Sequence, residues 1–341
     1  MVPFLAAAVL LALMVAAGGA VYQQVGAARD ARRFAPPGRF VDVRGRRLHL
    51  VVRGEGAPTV WFEAAIAASS LSWTRVQPAI ARFTTACAYD RAGLGWSDPP
   101  AARLTLSTVV DDFQALVVTS GCPTPCIMVG HSFGAFVCLA FASAYPQLVR
   151  GLVLVDPPMD WIDMDRRRTY LLRGARQMSR LGALLARSGV VRACLALLTG
   201  GAPAAPRQFV KIFGPSTART VERLVGEIRK LPEEVHPLVQ AAWCQPKSFR
   251  AMADYLRVFE EAAAQAARQI IPGDMPLVVI SAGDQPDDVI ATHRRLAESS
   301  SRGRHVFAAK SGHWVPFDEP DVVVDAIRQL LQPASPQGQQ A

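Results

Sequence analysis

The residues of this 341-residue chain that most suggest chemistry lie at 130–134, where Gly-His-Ser-Phe-Gly continues from an apolar run, CIMVG, and leads into a helical pattern. A serine on a sharp turn from a strand to a helix exposes its hydroxyl for attack on a carbonyl carbon, and glycines two residues on either side let the strand and the helix pass closely. The start of the helix also presents free N–H groups to a developing oxyanion. This spacing predicts Ser132 as a nucleophile, with a simple helix-capping serine as the alternative.

A serine nucleophile needs a base that takes its proton, and the chain has six histidines. His313, in SGHWVPFDEP, follows the last predicted strand and precedes the final predicted helix. Loops at the carboxyl edge of a parallel sheet are where catalytic groups collect. We therefore predict His313 as the general base; the alternative is a hydrogen-bonded loop histidine.

The third member of such a relay is an acid that lies between the serine and the histidine in chain order. Asp284, Asp287 and Asp288 follow the predicted strand PLVVIS at 276–281. Asp284 ranks first because it is nearest to the strand end, and Asp287 ranks second. Asp156, which ends the strand GLVLVD, is a further candidate. For each aspartate the alternative is a solvated turn residue or a helix cap.

The elements that must position these residues alternate between strands and helices. Near-continuous apolar strands separated by helices are typical of a mostly parallel sheet covered on both faces, so the predicted fold class is α/β. From 157 to 270 the pattern is only helical, which indicates an inserted helical cap. The predicted parts are a core at 36–157 and 271–333, a cap at 158–270 and a disordered tail at 334–341. Strands are predicted at 40–43, 47–52, 58–63, 85–89, 126–130, 151–156, 276–281 and 304–309.

This organisation resembles the α/β-hydrolase fold superfamily, in particular its capped, esterase-like members. The resemblance covers residues 40–331 and depends on three motifs: GHSFG, the loop YDRAGLGWSDPP, and SGHW before the last helix. It implies that Ser132 is the nucleophile, that His313 is the base, and that an aspartate within 284–288 is the acid.

The resemblance also implies where the oxyanion would bind. One donor is the backbone N–H of Phe133, and the second belongs to the loop after the strand PTVWFE. Relatives often have a His-Gly pair in that loop, whereas this chain has EAAIAASSLSW, so we place the second donor at Ala65, with Ile66 as the alternative. Asp90 and Arg91 are expected to brace the loops of the site.

The predicted function is that of a serine hydrolase that cleaves carboxylic esters or amides through an acyl-enzyme, with no metal and no organic cofactor. Haloalkane dehalogenases and epoxide hydrolases of this fold carry an aspartate at the nucleophile position, and this chain does not. The alternatives are a non-hydrolytic enzyme on the same scaffold, such as a cofactor-free lyase or a perhydrolase, and a catalytically silent binding protein. The expected partner is a small-molecule ester, and an apolar cap beside a membrane favours a lipophilic one. The natural substrate and the oligomeric state stay open.

The N-terminal segment 2–21 carries no charge. Twenty helical residues reach about 30 Å, which is the thickness of a hydrocarbon core. We therefore predict a membrane anchor at 1–22; the alternative is a secretory signal that is cleaved near Ala17 to Ala20. The basic residues between Arg29 and Arg39 follow the segment, so the positive-inside rule favours a cytoplasmic main domain, although a single span leaves the side of the membrane open.

The net charge of +9 comes almost entirely from arginine. No stacking aromatics accompany these arginines, and no zinc or helix-turn-helix signature is present, so nucleic-acid binding is not expected. The six cysteines show no metal-binding spacing. Cys122 and Cys126 could close a small loop, whereas Cys87 and Cys138 are predicted to be buried thiols.

Overall fold

The strands of the protein form a single eight-stranded sheet. They are β1 (Arg39–Val43), β2 (Arg46–Arg53), β3 (Val60–Glu63), β4 (Ala86–Tyr89), β5 (Cys126–His131), β6 (Val149–Val155), β7 (Leu277–Ala282) and β8 (Gly303–Ala308). Their order across the sheet is β1-β2-β4-β3-β5-β6-β7-β8. The pairs β1–β2 and β2–β4 are antiparallel, and all other neighbours are parallel. The predicted mostly parallel sheet is confirmed.

The computed structural model describes residues 2–199, 229–268 and 273–332. Its helices are α1 (Val2–Arg33), α2 (Gln77–Ile80), α3 (Leu106–Thr119), α4 (Phe133–Ala144), α5 (Arg166–Arg187), α6 (Val190–Thr199), α7 (His236–Trp243), α8 (Pro246–Ala266), α9 (Asp287–Glu298), α10 (Val315–Asp318) and α11 (Pro320–Leu331). The predicted disordered tail at 334–341 and part of the predicted cap lie outside the described residues.

The inner strands are mostly apolar because both of their faces are covered. Every residue of β3, β5 and β7 is buried. Val60, Ile127, Val153 and Val278 belong to one continuous core cluster that also includes side chains of α11. Burial on both faces explains why these strands show continuous apolar runs instead of alternation.

The chain divides into two compact units, with one boundary between Pro36 and Pro37 and two others inside α5 and α8. The first unit, here called the helical unit, comprises Met1–Pro36 and Gly174–Ala253. The second, here called the sheet unit, comprises Pro37–Arg173 and Asp254–Ala341. The sheet unit contains the whole sheet and every candidate catalytic residue. The described residues between β6 and β7 contain no strand, as expected for the helical segment.

Within the helical unit, the second half of α1 packs closely against other helices of the same unit. A Cβ atom at Gly19 would overlap the backbone carbonyl of Ser188. Gln23 donates a hydrogen bond to the carbonyl of Cys244 (2.8 Å) and accepts one from Arg192 (3.0 Å). These contacts show that this half of α1 is part of the folded unit.

The predicted membrane anchor at 1–22 is wrong. Among the described residues, no helix is both long enough and apolar enough to cross a membrane. The uncharged segment continues without a break into the polar residues 23–33 in one helix of 32 residues. Arg192 forms an ion pair with Asp30 on this polar part (2.7 Å). The membrane partner and the membrane-anchored localisation inferred from the segment are wrong with it.

Candidate active site

Ser132 lies on a strained turn between β5 and α4. Its backbone angles are φ 53° and ψ −122°, in a region that residues with a side chain rarely adopt. The turn is held by two hydrogen bonds, one from the Ser132 N–H to the carbonyl of Val155 (2.9 Å) and one from the Ala135 N–H to the carbonyl of Ser132 (2.8 Å). Among the described residues of α4, no backbone N–H donates a capping hydrogen bond to the hydroxyl of Ser132. The helix-capping alternative therefore loses its support.

The two flanking glycines allow backbone segments to approach more closely than a side chain would permit. A Cβ atom at Gly130 would lie 2.6 Å from the backbone of Gly134. A Cβ atom at Gly134 would overlap the carbonyl of Glu63 and lie 2.8 Å from that of Ala64. The start of α4 therefore lies directly against the loop that leaves β3.

His313 forms a hydrogen bond with Asp156 at the carboxyl end of β6. The Nδ1 of His313 lies 2.6 Å from Oδ2 of Asp156. The carboxylate of Asp156 is fully buried and also accepts bonds from the Ala282 N–H (3.1 Å) and from Nε2 of Gln285 (2.7 Å). These partners fix the carboxylate so that it can orient the imidazole.

The charge state of Asp156 follows from its surroundings. Burial alone would raise the pKa of Asp156, but the hydrogen bond and the charge interaction with His313, together with the bonds from Ala282 and Gln285, lower its pKa below the ordinary value. Asp156 therefore stays ionised and can accept the Nδ1–H of His313 at neutral pH.

The structure brings Asp156, and not the first-ranked acid candidate Asp284, within hydrogen-bond distance of the imidazole of His313. The side chains of Asp284, Asp287 and Asp288 are exposed, whereas the buried carboxylate of Asp156 accepts the hydrogen bond from the imidazole. The carboxylate of Asp284 lies beside the backbone of Gly312. Asp287 and Asp288 occupy the first turn of α9, where negative charge favours the helix.

His131 is a residue of the site to which sequence reasoning assigned no role. Its Nε2 donates a hydrogen bond to the backbone carbonyl of His313 (2.7 Å), and its ring lies 5.0 Å from that of Trp314. Burial, with the neighbouring His313, lowers the pKa of His131 to about 3, so its ring stays neutral. His131 therefore connects the loop of the predicted base to the turn that carries the predicted nucleophile. Its position beside Ser132 was the only signal in the sequence.

Arg91 holds the loop in which the second oxyanion donor was predicted. Its guanidinium donates to the carbonyls of Ala64 (2.6 Å), Ala65 and Ile66 (3.2 Å), and to the carboxylate of Glu63. In a trans peptide the carbonyl and the following N–H point in opposite directions. Because the carbonyls of Ala64 and Ala65 face Arg91, the N–H groups of Ala65 and Ile66 face away from it.

The charges of this loop are buried and balanced. Burial raises the pKa of Glu63 above its ordinary value, although Arg91 and the hydroxyl of Tyr89 oppose this change. Burial alone would lower the pKa of Arg91, but Glu63, together with the neighbouring Tyr255 and Tyr89, outweighs it and the pKa is raised. The guanidinium also lies over the rings of Tyr255 (4.9 Å) and Phe133 (5.1 Å). Removing the arginine would leave a buried carboxylate without its positive partner.

Asp90, the other residue predicted to brace the loops, joins two backbone segments to a histidine. Its carboxylate accepts hydrogen bonds from the N–H of Ser70 (2.7 Å) and of Trp96 (2.9 Å) and lies 2.9 Å from Nδ1 of His49. The bracing predicted for Asp90 and Arg91 is confirmed.

Comparison with known proteins yields the same architecture. A family model described as the alpha/beta hydrolase fold matches residues 58–320. An uncharacterized protein of Mycobacterium tuberculosis is 26% identical over 310 residues, which cover 90% of this chain and 85% of that protein. The solved epoxide hydrolase CorEH is 19% identical with a TM-score of 0.62, covering 86% of this chain and 97% of its own. A thermophilic esterase from Thermogutta terrifontis is 18% identical with a TM-score of 0.59, covering 86% and 97%.

Proposed function

The chain belongs to the α/β-hydrolase fold family, and on this premise we propose that it is a serine hydrolase that cleaves carboxylic esters through an acyl-enzyme intermediate. The fold alone does not select the reaction, because hydrolases of several kinds share it. The residue at the turn between β5 and α4 supports the proposal, because a serine hydroxyl can attack an acyl carbon and form an ester with it.

In the proposed mechanism, Ser132 attacks the carbonyl carbon of the substrate while Nε2 of His313 takes the hydroxyl proton. Asp156 accepts the Nδ1–H of the imidazole and stabilises the imidazolium that forms. The tetrahedral intermediate collapses, and His313 gives its proton to the leaving alkoxide. Water then attacks the acyl-enzyme with the same histidine as base, which releases the carboxylic acid and restores Ser132.

The negative charge of the tetrahedral intermediate requires donors that are in place beforehand. We assign this role to the backbone N–H of Phe133, at the start of α4, and to that of Ala65, which faces away from Arg91. Donors of this kind bind the oxyanion more strongly than the ground-state carbonyl, so they act mainly on the rate of turnover.

The observation that carries the proposal is the combination of the strained turn at Ser132 with the bond between His313 and Asp156. Ser132 is kept at a positive φ although its side chain does not cap the helix. The ring of the adjacent His131 lies 4.9 Å from the ring of His313, whose imidazole is oriented by the buried carboxylate of Asp156.

A fluorophosphonate probe, which phosphonylates activated serines, tests the proposal directly. The wild type should be labelled at Ser132, whereas Ser132→Ala should not be labelled and His313→Ala and Asp156→Asn should react far more slowly. Asp284→Asn is the matched control and should be labelled at the wild-type rate. If the folded wild type, checked by circular dichroism, reacts no faster than Ser132→Ala, the serine hydrolase proposal is wrong.

The choice of ester over amide is tested by product analysis. We expect p-nitrophenyl esters to give a burst of nitrophenol with a stoichiometry of about one per chain, followed by slower turnover, as an accumulating acyl-enzyme requires. A series of p-nitrophenyl esters of increasing acyl length tests the predicted preference for lipophilic substrates. The part of that prediction that depended on a membrane anchor no longer applies. If the protein hydrolysed anilides, which are amide substrates, but not esters, the proposed substrate class would be wrong.

A further inference from the structure

Two cysteine side chains that are far apart in sequence contact each other in the folded protein. The sulfur atoms of Cys87 and Cys122 lie 3.4 Å apart, although the two residues are 35 positions apart along the chain. Cys87 is buried in the middle of β4, and Cys122 follows the C-terminal end of α3 and is partly accessible. A thiol pair at this distance is in hydrogen-bond contact without a covalent bond.

The surroundings of the two thiols make them chemically unequal. The backbone N–H of Cys122 donates to the hydroxyl of Ser120 (3.1 Å), and Arg39 donates to the carbonyl of Ser120 (2.6 Å), which brings a guanidinium close to the pair. The hydrogen bond with Cys87, opposed by partial burial and assisted by Ser120 and Arg39, lowers the pKa of Cys122 to about 6. The same hydrogen bond and burial raise the pKa of Cys87.

We propose that Cys87 and Cys122 form a reversible intramolecular disulfide, with Cys122 as the attacking thiol and Cys87 as the resolving thiol. The observations behind it are the meeting of the two sulfur atoms, the accessibility of one and the burial of the other. None of them depends on the catalytic assignments.

The oxidant is a small disulfide such as oxidised glutathione. The thiolate of Cys122 attacks one sulfur of the reagent, which forms a mixed disulfide and releases one glutathione thiolate. The thiol of Cys87 then loses its proton and attacks the Cys122 sulfur, which releases the second glutathione. The protein loses two protons and two electrons, and the reagent is reduced to two thiols.

Formation of the disulfide requires the two sulfur atoms to move only a short distance. The sulfur atoms must approach from 3.4 Å to about 2.05 Å, and Cys122 lies in the short connection between α3 and β5 instead of inside a strand. The bond would join β4 to the segment that enters β5, the strand that ends at the nucleophile turn.

Cys126, which the sequence suggested as the partner of Cys122, is engaged elsewhere. It is buried in the first position of β5, and its thiol donates to the carbonyl of Leu148 (3.2 Å). The pairing with Cys87 therefore replaces the small loop that the spacing of Cys122 and Cys126 suggested.

Peptide mapping of the full chain tests the proposal. The reduced protein is incubated with oxidised glutathione, alkylated, digested without reduction and analysed by mass spectrometry. In the wild type we expect the peptides containing Cys87 and Cys122 to be joined, the intact protein to lose two hydrogen atoms at this pair, and dithiothreitol to reverse both changes.

Three variants separate the steps. Cys87→Ser should stop at a stable glutathione adduct on Cys122, because the resolving thiol is missing, and Cys122→Ser should leave Cys87 reduced. Cys126→Ser is the matched control and should form the Cys87–Cys122 bond like the wild type. A wild type that retains glutathione on Cys122, or that joins Cys122 to Cys126, would overturn the proposal, provided that circular dichroism shows the oxidised sample to be folded.

Discussion

The carboxyl ends of β6 and β7 look alike in sequence and differ in the folded protein. Asp156 follows β6, is buried and holds the imidazole of His313, whereas Asp284 follows β7 and is exposed. In the sheet, β6 lies directly beside β5, and β7 lies one strand further away. Because His313 follows β8, which lies beside β7, nearness of strands alone would favour Asp284. The comparison shows that burial and the direction of the side chain decide which carboxylate reaches the imidazole of His313.

The largest expected effect comes from replacing the carboxylate of Asp156 with an amide, and the same replacement at Asp284 is the comparison. Asp156→Asn should lower kcat by about 10⁴-fold, because an amide can no longer stabilise the imidazolium or select the tautomer. Asp284→Asn should stay within about 3-fold of the wild type, as expected for an exposed substitution. Steady-state kinetics on an ester substrate measure both.

The opposite result would reverse the assignment. If Asp284→Asn lost activity and Asp156→Asn kept it, Asp284 would be the acid. The hydrogen bond between Asp156 and His313 would then have only a structural role. Equal folding of the two variants must be shown by their thermal unfolding curves.

The end of β4 extends the comparison, because Arg91 there is also a buried charge that holds a neighbouring loop. Arg91→Lys should lower kcat about 10- to 100-fold with little change in KM, since one ammonium group cannot hold several acceptors in the geometry of a guanidinium fork. The charge opposite Glu63 is retained, which limits the loss of stability.

The matched control for Arg91 is Arg257→Lys. Arg257 also donates to a backbone carbonyl, that of Leu104 (3.0 Å), but on a different loop. It should therefore leave kcat nearly unchanged. A fall in kcat of equal size in both variants would mean that Arg91 contributes general stability and does not position the oxyanion donors.

A smaller effect concerns stability against acid. The pKa of Asp156 is lower in the folded protein than in the unfolded chain, so its contribution to the free energy of unfolding is complete above the ordinary aspartate pKa of about 3.9 and is lost as the pH falls through the folded-state value. Urea unfolding at several pH values should show the gap between wild type and Asp156→Asn closing toward low pH. A gap that widens there would contradict the sign.

The smallest expected effect is that of the double variant. In Asp156→Asn/Asp284→Asn the second substitution should change kcat by no more than about 2-fold relative to Asp156→Asn alone, because the two side chains do not act on the same group. A further tenfold loss would show that Asp284 replaces Asp156 in the single variant. Kinetics at matched protein concentration decide this.

Most of the fold could be predicted from the sequence because its signals are local. The hairpin of β1 and β2, the continuous apolar strands and the final amphipathic helix each follow from the order of residues within one element. The N-terminal helix is the exception. Its composition alone indicates a membrane span, and only its continuation into polar residues and the contacts of Gly19 and Gln23 with other helices show otherwise.

The sequence by itself determined the Gly-x-Ser-x-Gly turn and the histidine loop, because strand, turn and helix signals adjoin Ser132 and His313 in the chain. Only the tertiary structure decided that Asp156 is the hydrogen-bond partner of His313, that Arg91 holds the carbonyls of the loop after β3, and that Cys87 contacts Cys122. The physical reason is that a hydrogen bond depends on a separation of about 3 Å in space. That separation is set by how the strands and the loops that follow them pack together, which no single segment of the sequence encodes.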